Sequence, residues 1–118
     1  MVRLVVTKLK TFEATAKRDP EALVFDSATR VFSRQGETAF FQNRQTDVIL
    51  AMAAGAGSIV TWPELVNRIW GSDPHGGPDD PRNTIMTHVC RARPSLERLG
   101  LTTANWNGVG LALREAKA

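Results

Sequence analysis

Between Leu23 and Phe41 the apolar positions come in short runs broken by turn-forming residues: one to Phe25, then Asp26-Ser27, one from Arg30 to Ser33, then Gln35-Gly36, and one from Thr38 to Phe41. Runs of this length separated by turn chemistry predict a small antiparallel β-meander. Gln35-Gly36 supplies the left-handed backbone that a tight hairpin requires. The period then changes. From Asn43 to Ala54, residues Val48, Ile49, Met52 and Ala53 recur at helical spacing, and Gly55-Ala56-Gly57 ends the pattern. After a strand-like Ser58-Ile59-Val60, the run Thr61-Trp62-Pro63-Glu64 reads as a capping box. It opens a second helix that buries Leu65, Val66 and Ile69 and stops at Gly71.

Residues 71–82 are rich in Gly, Pro and Asp and predict an acidic loop. A third helix follows from Arg82 to Leu96. It places Ile85, Val89, Ala92 and Leu96 on one face and Asn83, Met86, Thr87, Cys90, Arg91 and Arg93 on the rest. Pro94 predicts a kink or an early end near Arg93, because a proline in a helix interior costs roughly 3 kcal/mol. Leu101 to Arg114 reads as two extended runs around Asn107-Gly108, a hairpin signal. Residues 1–20 admit two readings: a strand from Arg3 to Leu9, or a short amphipathic helix carrying Leu4, Val5, Leu9, Phe12 and Ala16.

The free face of the third helix is also open to two readings. One is an ordinary amphipathic surface with some arginines. The other is a surface whose mixed donors, acceptors and apolar groups suit the edges of DNA base pairs. Charge favours the second. The formal net charge is only +3 at a pI of about 9.6, but it is segregated. Arg3, Lys8, Lys10, Lys17 and Arg18 face a single acid, Glu13, in residues 1–18, and Arg82, Arg91, Arg93 and Arg98 face only Glu97 in residues 82–98. Such patches point to a polyanionic partner.

At 118 residues the chain predicts one domain, residues 21–115, behind a basic N-terminal extension, residues 1–20. No apolar run approaches the roughly 20 residues of a membrane span, and MVRLVVTKLK lacks the pattern of a signal peptide, so a cytoplasmic location is expected. Cys90, the only cysteine, excludes an internal disulfide and a thiolate zinc site.

Meander, three helices and terminal hairpin, in that order, describe an α+β winged helix-turn-helix, and the residues resemble a family. From Phe41 to Gly71 the chain is similar to the DNA-binding effector domains of OmpR/PhoB-type response regulators: an apolar helix, Gly57, Ile59-Val60-Thr61, Glu64-Leu65 and Ile69-Trp70-Gly71. Asn83 to Arg93 resembles that family's Arg-Thr-Val-Asp-Val-His-Ile-x-Arg-Leu-Arg run, and Asn107 to Leu111 its Arg-Gly-x-Gly-Tyr wing. The likeness covers Leu23 to Arg114.

The resemblance implies a transcriptional regulator that binds double-stranded DNA, with the third helix in the major groove and the wing in an adjacent minor groove. Base-reading candidates are then Asn83, Met86, Thr87, Cys90 and Arg91. Arg91 is foremost, since a guanidinium grips guanine O6 and N7 together. Phosphate-binding candidates are Thr61, Trp62, Trp70, Thr84, His88 and Arg93; the wing contributes Asn105, Asn107, Gly108 and Arg114. The loop carrying Asp73, His75, Asp79 and Asp80 corresponds to one that can touch RNA polymerase in the family, and reads equally as a solvated connector. Head-to-tail pairing on direct repeats is a further implication.

There are departures. Asn83, Met86 and Cys90 stand in place of arginine, aspartate and arginine, Asn107 replaces the wing arginine, and Trp62 stands where a phosphate-binding arginine is frequent. Fewer cations weaken the sequence-independent part of binding. The 20 residues ahead of the domain cannot hold a phospho-receiver, so control by amount, partner or self-association is expected, as for a stand-alone bacterial or phage regulator.

An enzyme is not expected, since P-loop, dinucleotide and nucleophile-elbow motifs are all missing. A metal reading of His75 with Asp73, Asp79 and Asp80 has no second histidine, and no cofactor is expected. The competing function is a winged-helix protein-interaction module that binds polymerase or another regulator, with weak, sequence-indifferent DNA binding.

Overall fold

The computed structural model describes residues 3–106 and 108–116, apart from the side chains of residues 9 and 10. Asn107, named above for the wing, lies outside the described residues. The elements are β1 (Leu4–Thr7), α1 (Leu9–Arg18), β2 (Leu23–Asp26), β3 (Val31–Arg34), β4 (Glu37–Phe40), α2 (Asn43–Ala53), β5 (Val60–Thr61), α3 (Trp62–Trp70), α4 (Pro81–Arg98), β6 (Leu101–Trp106) and β7 (Gly110–Glu115). This α+β arrangement is compatible with a winged helix, with four helices among the described residues rather than three.

Residues 1–20 hold the additional helix. Both readings of this stretch apply, each to a different part: β1 is followed directly by α1. β1 pairs in parallel with β2, Leu4 opposite Leu23 and Val6 opposite Phe25, so α1 is the crossover between them. β2, β3 and β4 continue the sheet antiparallel in the order β1-β2-β3-β4. Gln35 and Gly36 take φ of 53° and 79°, the left-handed pair of a two-residue turn between β3 and β4.

One face of this sheet presents Leu23, Phe25, Phe32 and Ala39 to the core, while Val24 lies on the opposite face, the side covered by α1. Phe32 packs edge-on against Phe41 with ring centroids 5.5 Å apart. The core continues through Val48, Ile49 and Met52 of α2, Leu65 of α3, and Ile85, Val89, Ala92 and Leu96 of α4. A second sheet, in the order β5-β7-β6, closes it with Leu111 and Leu113. β6 and β7 are antiparallel from Leu101–Glu115 to Trp106–Gly110.

Two local expectations are corrected. Thr61 is the N-cap of α3, but no capping box forms: its side chain makes no cap bond, and Glu64 Oε1 accepts instead from Arg68 one turn on, at 3.2 Å. Thr61 is simultaneously the end of β5, paired with Gly110, and the amide of Trp62 donates to the carbonyl of Val109 at 3.0 Å. Strand pairing holds the entry to α3 without the box.

The second correction concerns Pro94. α4 runs through it to Arg98 as one helix. Ile85, Val89, Ala92 and Leu96, each at most 2% exposed, seat both halves of α4 in the core. Pro94 and Cys90, whose carbonyl loses its donor, are exposed. The early end is thus overturned: the missing bond falls on the side where water can replace it, and the apolar stripe is buried on both sides of the proline.

Candidate nucleic-acid interface

Asp80 starts α4. Its carboxylate accepts the Asn83 amide at 3.2 Å, its carbonyl accepts the Thr84 hydroxyl at 3.0 Å, and Pro81 occupies the first turn, where its absent N–H costs nothing. With the apolar stripe buried, the helical repeat of about 100° per residue sorts the remaining positions into a central strip and two flanks. Asn83, Thr87 and Cys90 form the strip, and all three are exposed. The Thr87 hydroxyl donates to the Asn83 carbonyl at 2.9 Å, which leaves its methyl as the group without a partner. Thr84, His88 and Arg91 make one flank; Arg82, Met86 and Arg93 make the other.

Met86 is half-buried and packs against the core, so of the five base-reading candidates it is the least available. Arg91 and Arg93 are exposed and form no ion pair among the described residues. His88 is half-buried, and its Nδ1 is buried with no hydrogen-bond partner. Its pKa is lowered, first by this desolvation and then by the charges of Arg91 and Arg44. The lowered value means that the unfolded chain takes up the His88 proton first as pH falls. Stability is thus fully present above the usual histidine value of about 6.5 and declines as pH drops through it toward the folded value. A histidine NMR titration is expected to place the His88 midpoint below about 6.5; a midpoint at or above that value contradicts the assigned environment.

Two phosphate candidates sit differently from expectation. Trp62 is 6% exposed, and its indole N–H is sealed from solvent without a partner. Packing at the start of α3 has turned this donor inward, away from the surface where a phosphate would lie. The cation at this place is Arg82, whose guanidinium carbon lies 5.3 Å from the Trp62 ring centroid. Trp70 is 5% exposed, and a Cβ added to Gly77 would lie 2.8 Å from its Cγ, so the loop after α3 closes onto the indole. The Arg44 guanidinium stands 5.7 Å from the Trp70 centroid.

Thr61 and Asn105 are exposed. Arg114 lies over Trp106 at 4.5 Å, and its Nε donates to the Gly57 carbonyl at 3.2 Å. Gly108 takes φ of 74° in the turn between β6 and β7. In the loop ahead of α4, Asp73 accepts the His75 amide at 2.8 Å and Asp80 caps α4, so two of its three acids serve the local backbone. Asp79 and His75 are exposed, and no three metal-ligating side chains come together among the described residues. Among the described residues no helix is long and apolar enough to cross a membrane.

Sequence assigned no role to Arg44, and to Arg82 only a place in the basic patch of residues 82–98. Each lies 20 or more positions from the tryptophan it covers, and no local pattern announces such a pair.

No family model matches the chain. Over 92 residues, 78% of its length, it is 29% identical to the transcriptional regulatory protein VxrB of Vibrio cholerae serotype O1, and it spans 35% of that protein.

Proposed function

We propose that the chain is a sequence-specific, double-stranded-DNA-binding transcriptional regulator of the winged helix-turn-helix type, similar to the OmpR/PhoB effector domains. In this reading α4 enters the major groove and the β6–β7 hairpin reaches an adjacent minor groove. The observation that carries it is the exposed face of α4: a neutral strip of Asn83, Thr87 and Cys90 between flanks bearing Arg91 and His88 on one side and Arg82 and Arg93 on the other. Base edges are read by groups like those of the strip and by an arginine beside it, and phosphates are held by the other cations at its margins. Asn83 suits adenine N6 and N7, the Thr87 methyl suits the thymine methyl, and Arg91 suits guanine. Similarity to a transcriptional regulatory protein supports the same reading.

Selection of bound fragments from random duplex DNA tests it. A motif is expected, bound at least about a thousandfold more tightly than mixed sequence. Arg91→Ala is expected to cost about 1–3 kcal/mol at one G·C position and to relax the preference there alone. Recovery of no motif, or of the same motif at the same strength after the substitution, sinks direct readout. A second reading, a protein-interaction module with sequence-indifferent DNA binding, is favoured by Phe40, which is 64% exposed on the edge strand β4. It predicts steep salt dependence and no motif.

A further inference from the structure

We propose that Arg44 and Arg82, each laid over a tryptophan at one end of α3, are the principal phosphate clamps of this chain, one for each DNA backbone bordering the major groove. This rests on the DNA-binding reading of α4.

Asn83 and Cys90 leave the central strip of α4 without a cation, and the structure shows where cations gather around it. Trp62 is the first residue of α3 and Trp70 the last. At about 1.5 Å per residue the backbone positions of the two tryptophans are separated along the helix by roughly 12 Å, close to the major-groove width of about 12 Å. Arg82 lies over the first ring at 5.3 Å and Arg44 over the second at 5.7 Å. Arg82 belongs to the Arg93 flank of α4. Arg44 lies beside the other flank, near enough to His88 for its charge to act there. The two guanidinium groups thus bracket the strip of Asn83, Thr87 and Cys90.

Ordinary structural roles do not account for these arginines. Both stand in the first turn of a helix, where the macrodipole disfavours a cation. Arg82 has no ion pair among the described residues, and Arg44 has only Asp47 at 3.5 Å, itself shared with Arg30 at 3.6 Å. Arg68, by contrast, has Glu64 at 3.2 Å. Trp62 is not explained by packing alone either, because a phenylalanine or leucine would fill its site without burying an unpartnered N–H. An indole face is the best platform for a guanidinium, and a guanidinium held flat on a ring loses less freedom when it meets a phosphate.

The test uses the whole chain, a duplex carrying the selected motif, and a mixed-sequence duplex. Binding is measured across a salt series for wild type, Arg44→Gln, Arg82→Gln and the double variant. Arg68→Gln, which removes a surface cation of α3 already paired with Glu64, is the control. Each single substitution is expected to reduce the slope of log K against log salt by about 0.9, and the double variant by about twice that. The ratio of motif to mixed-sequence affinity should stay at the wild-type value, and the control should change neither quantity. Unchanged slopes in a chain that binds duplex overturn the clamps and leave the DNA reading standing. A fall in the ratio shows base reading and likewise overturns them, and loss of slope in only one variant overturns the pair. Absence of duplex binding by the wild-type chain overturns both proposals together.

Discussion

Arg34→Met is expected to lower the unfolding free energy by about 2–3 kcal/mol, the cost of leaving a buried carbonyl without its charged donor. The Arg34 side chain is 1% exposed. Its Nε donates to the Glu21 carbonyl at 2.9 Å, and one terminal nitrogen donates to the carbonyls of Leu99 at 3.0 Å and Gly100 at 3.3 Å. The other reaches Glu115 at 2.7 Å and Glu21 at 3.3 Å. One guanidinium therefore ties β3 to the C-terminal end of α4 and to the end of β7.

Methionine fills much of the volume but donates nothing. The half-exposed Glu115 can return to water; the Leu99 carbonyl, at a residue 0% exposed, is left without its donor. Arg34→Lys should recover only part of the loss, because a compact ammonium cannot span acceptors in three directions. Urea unfolding checks both variants, with the midpoint falling and the slope unchanged. A loss under about 1 kcal/mol for Arg34→Met would show that the network is not buried as described.

Gly110→Ala is the second large effect, at about 3 kcal/mol or more, the upper end of ordinary overpacking. A Cβ there would lie 2.0 Å from the Val60 carbonyl oxygen and 2.8 Å from the Thr61 Cα. Those are backbone atoms of β5, so no side chain can swing aside. β7 must retreat from β5, and the Val60–Leu111 and Thr61–Gly110 pairs go with it. Since the Trp62 amide bonds to Val109, the retreat also loosens the start of α3 and the platform beneath Arg82. The variant should lose amide-exchange protection in β5 and β7 and bind DNA more weakly. Wild-type protection in β5 would count against so close a contact.

Where structure follows from neighbours in sequence, it was legible. Gln35-Gly36 needed only its own backbone preference, and α2 and α4 needed only the spacing of their apolar residues. What depends on distant partners was not. β1 is four residues long and acquires its role from parallel pairing with β2, so nothing within residues 1–20 could choose between strand and helix or assign each its part. The early end expected at Pro94 does not occur because local preference opposes the helix, whereas an apolar stripe about three turns long, from Ile85 to Leu96, supports it. Glu64 and Thr61 matched the capping motif, but Arg68 and Gly110 compete for them. At the candidate interface, the exposed strip of α4 followed from periodicity. The inward turn of the Trp62 N–H and the placement of Arg44 and Arg82 required the packed fold.

The partners of Arg34 also bear on how long the native chain lasts. Leu99, Gly100 and Glu115 lie 65, 66 and 81 positions from it, so these bonds close only when β3 meets the far end of the chain. These bonds are expected to close on the native side of the folding barrier, so that Arg34→Met speeds unfolding and leaves folding nearly unchanged in stopped-flow kinetics. About 3 kcal/mol placed there slows spontaneous opening by about two orders of magnitude while leaving the folding rate nearly unchanged. Arg34, which joins β3 to the end of α4 and to β7, acts as a latch on the native chain.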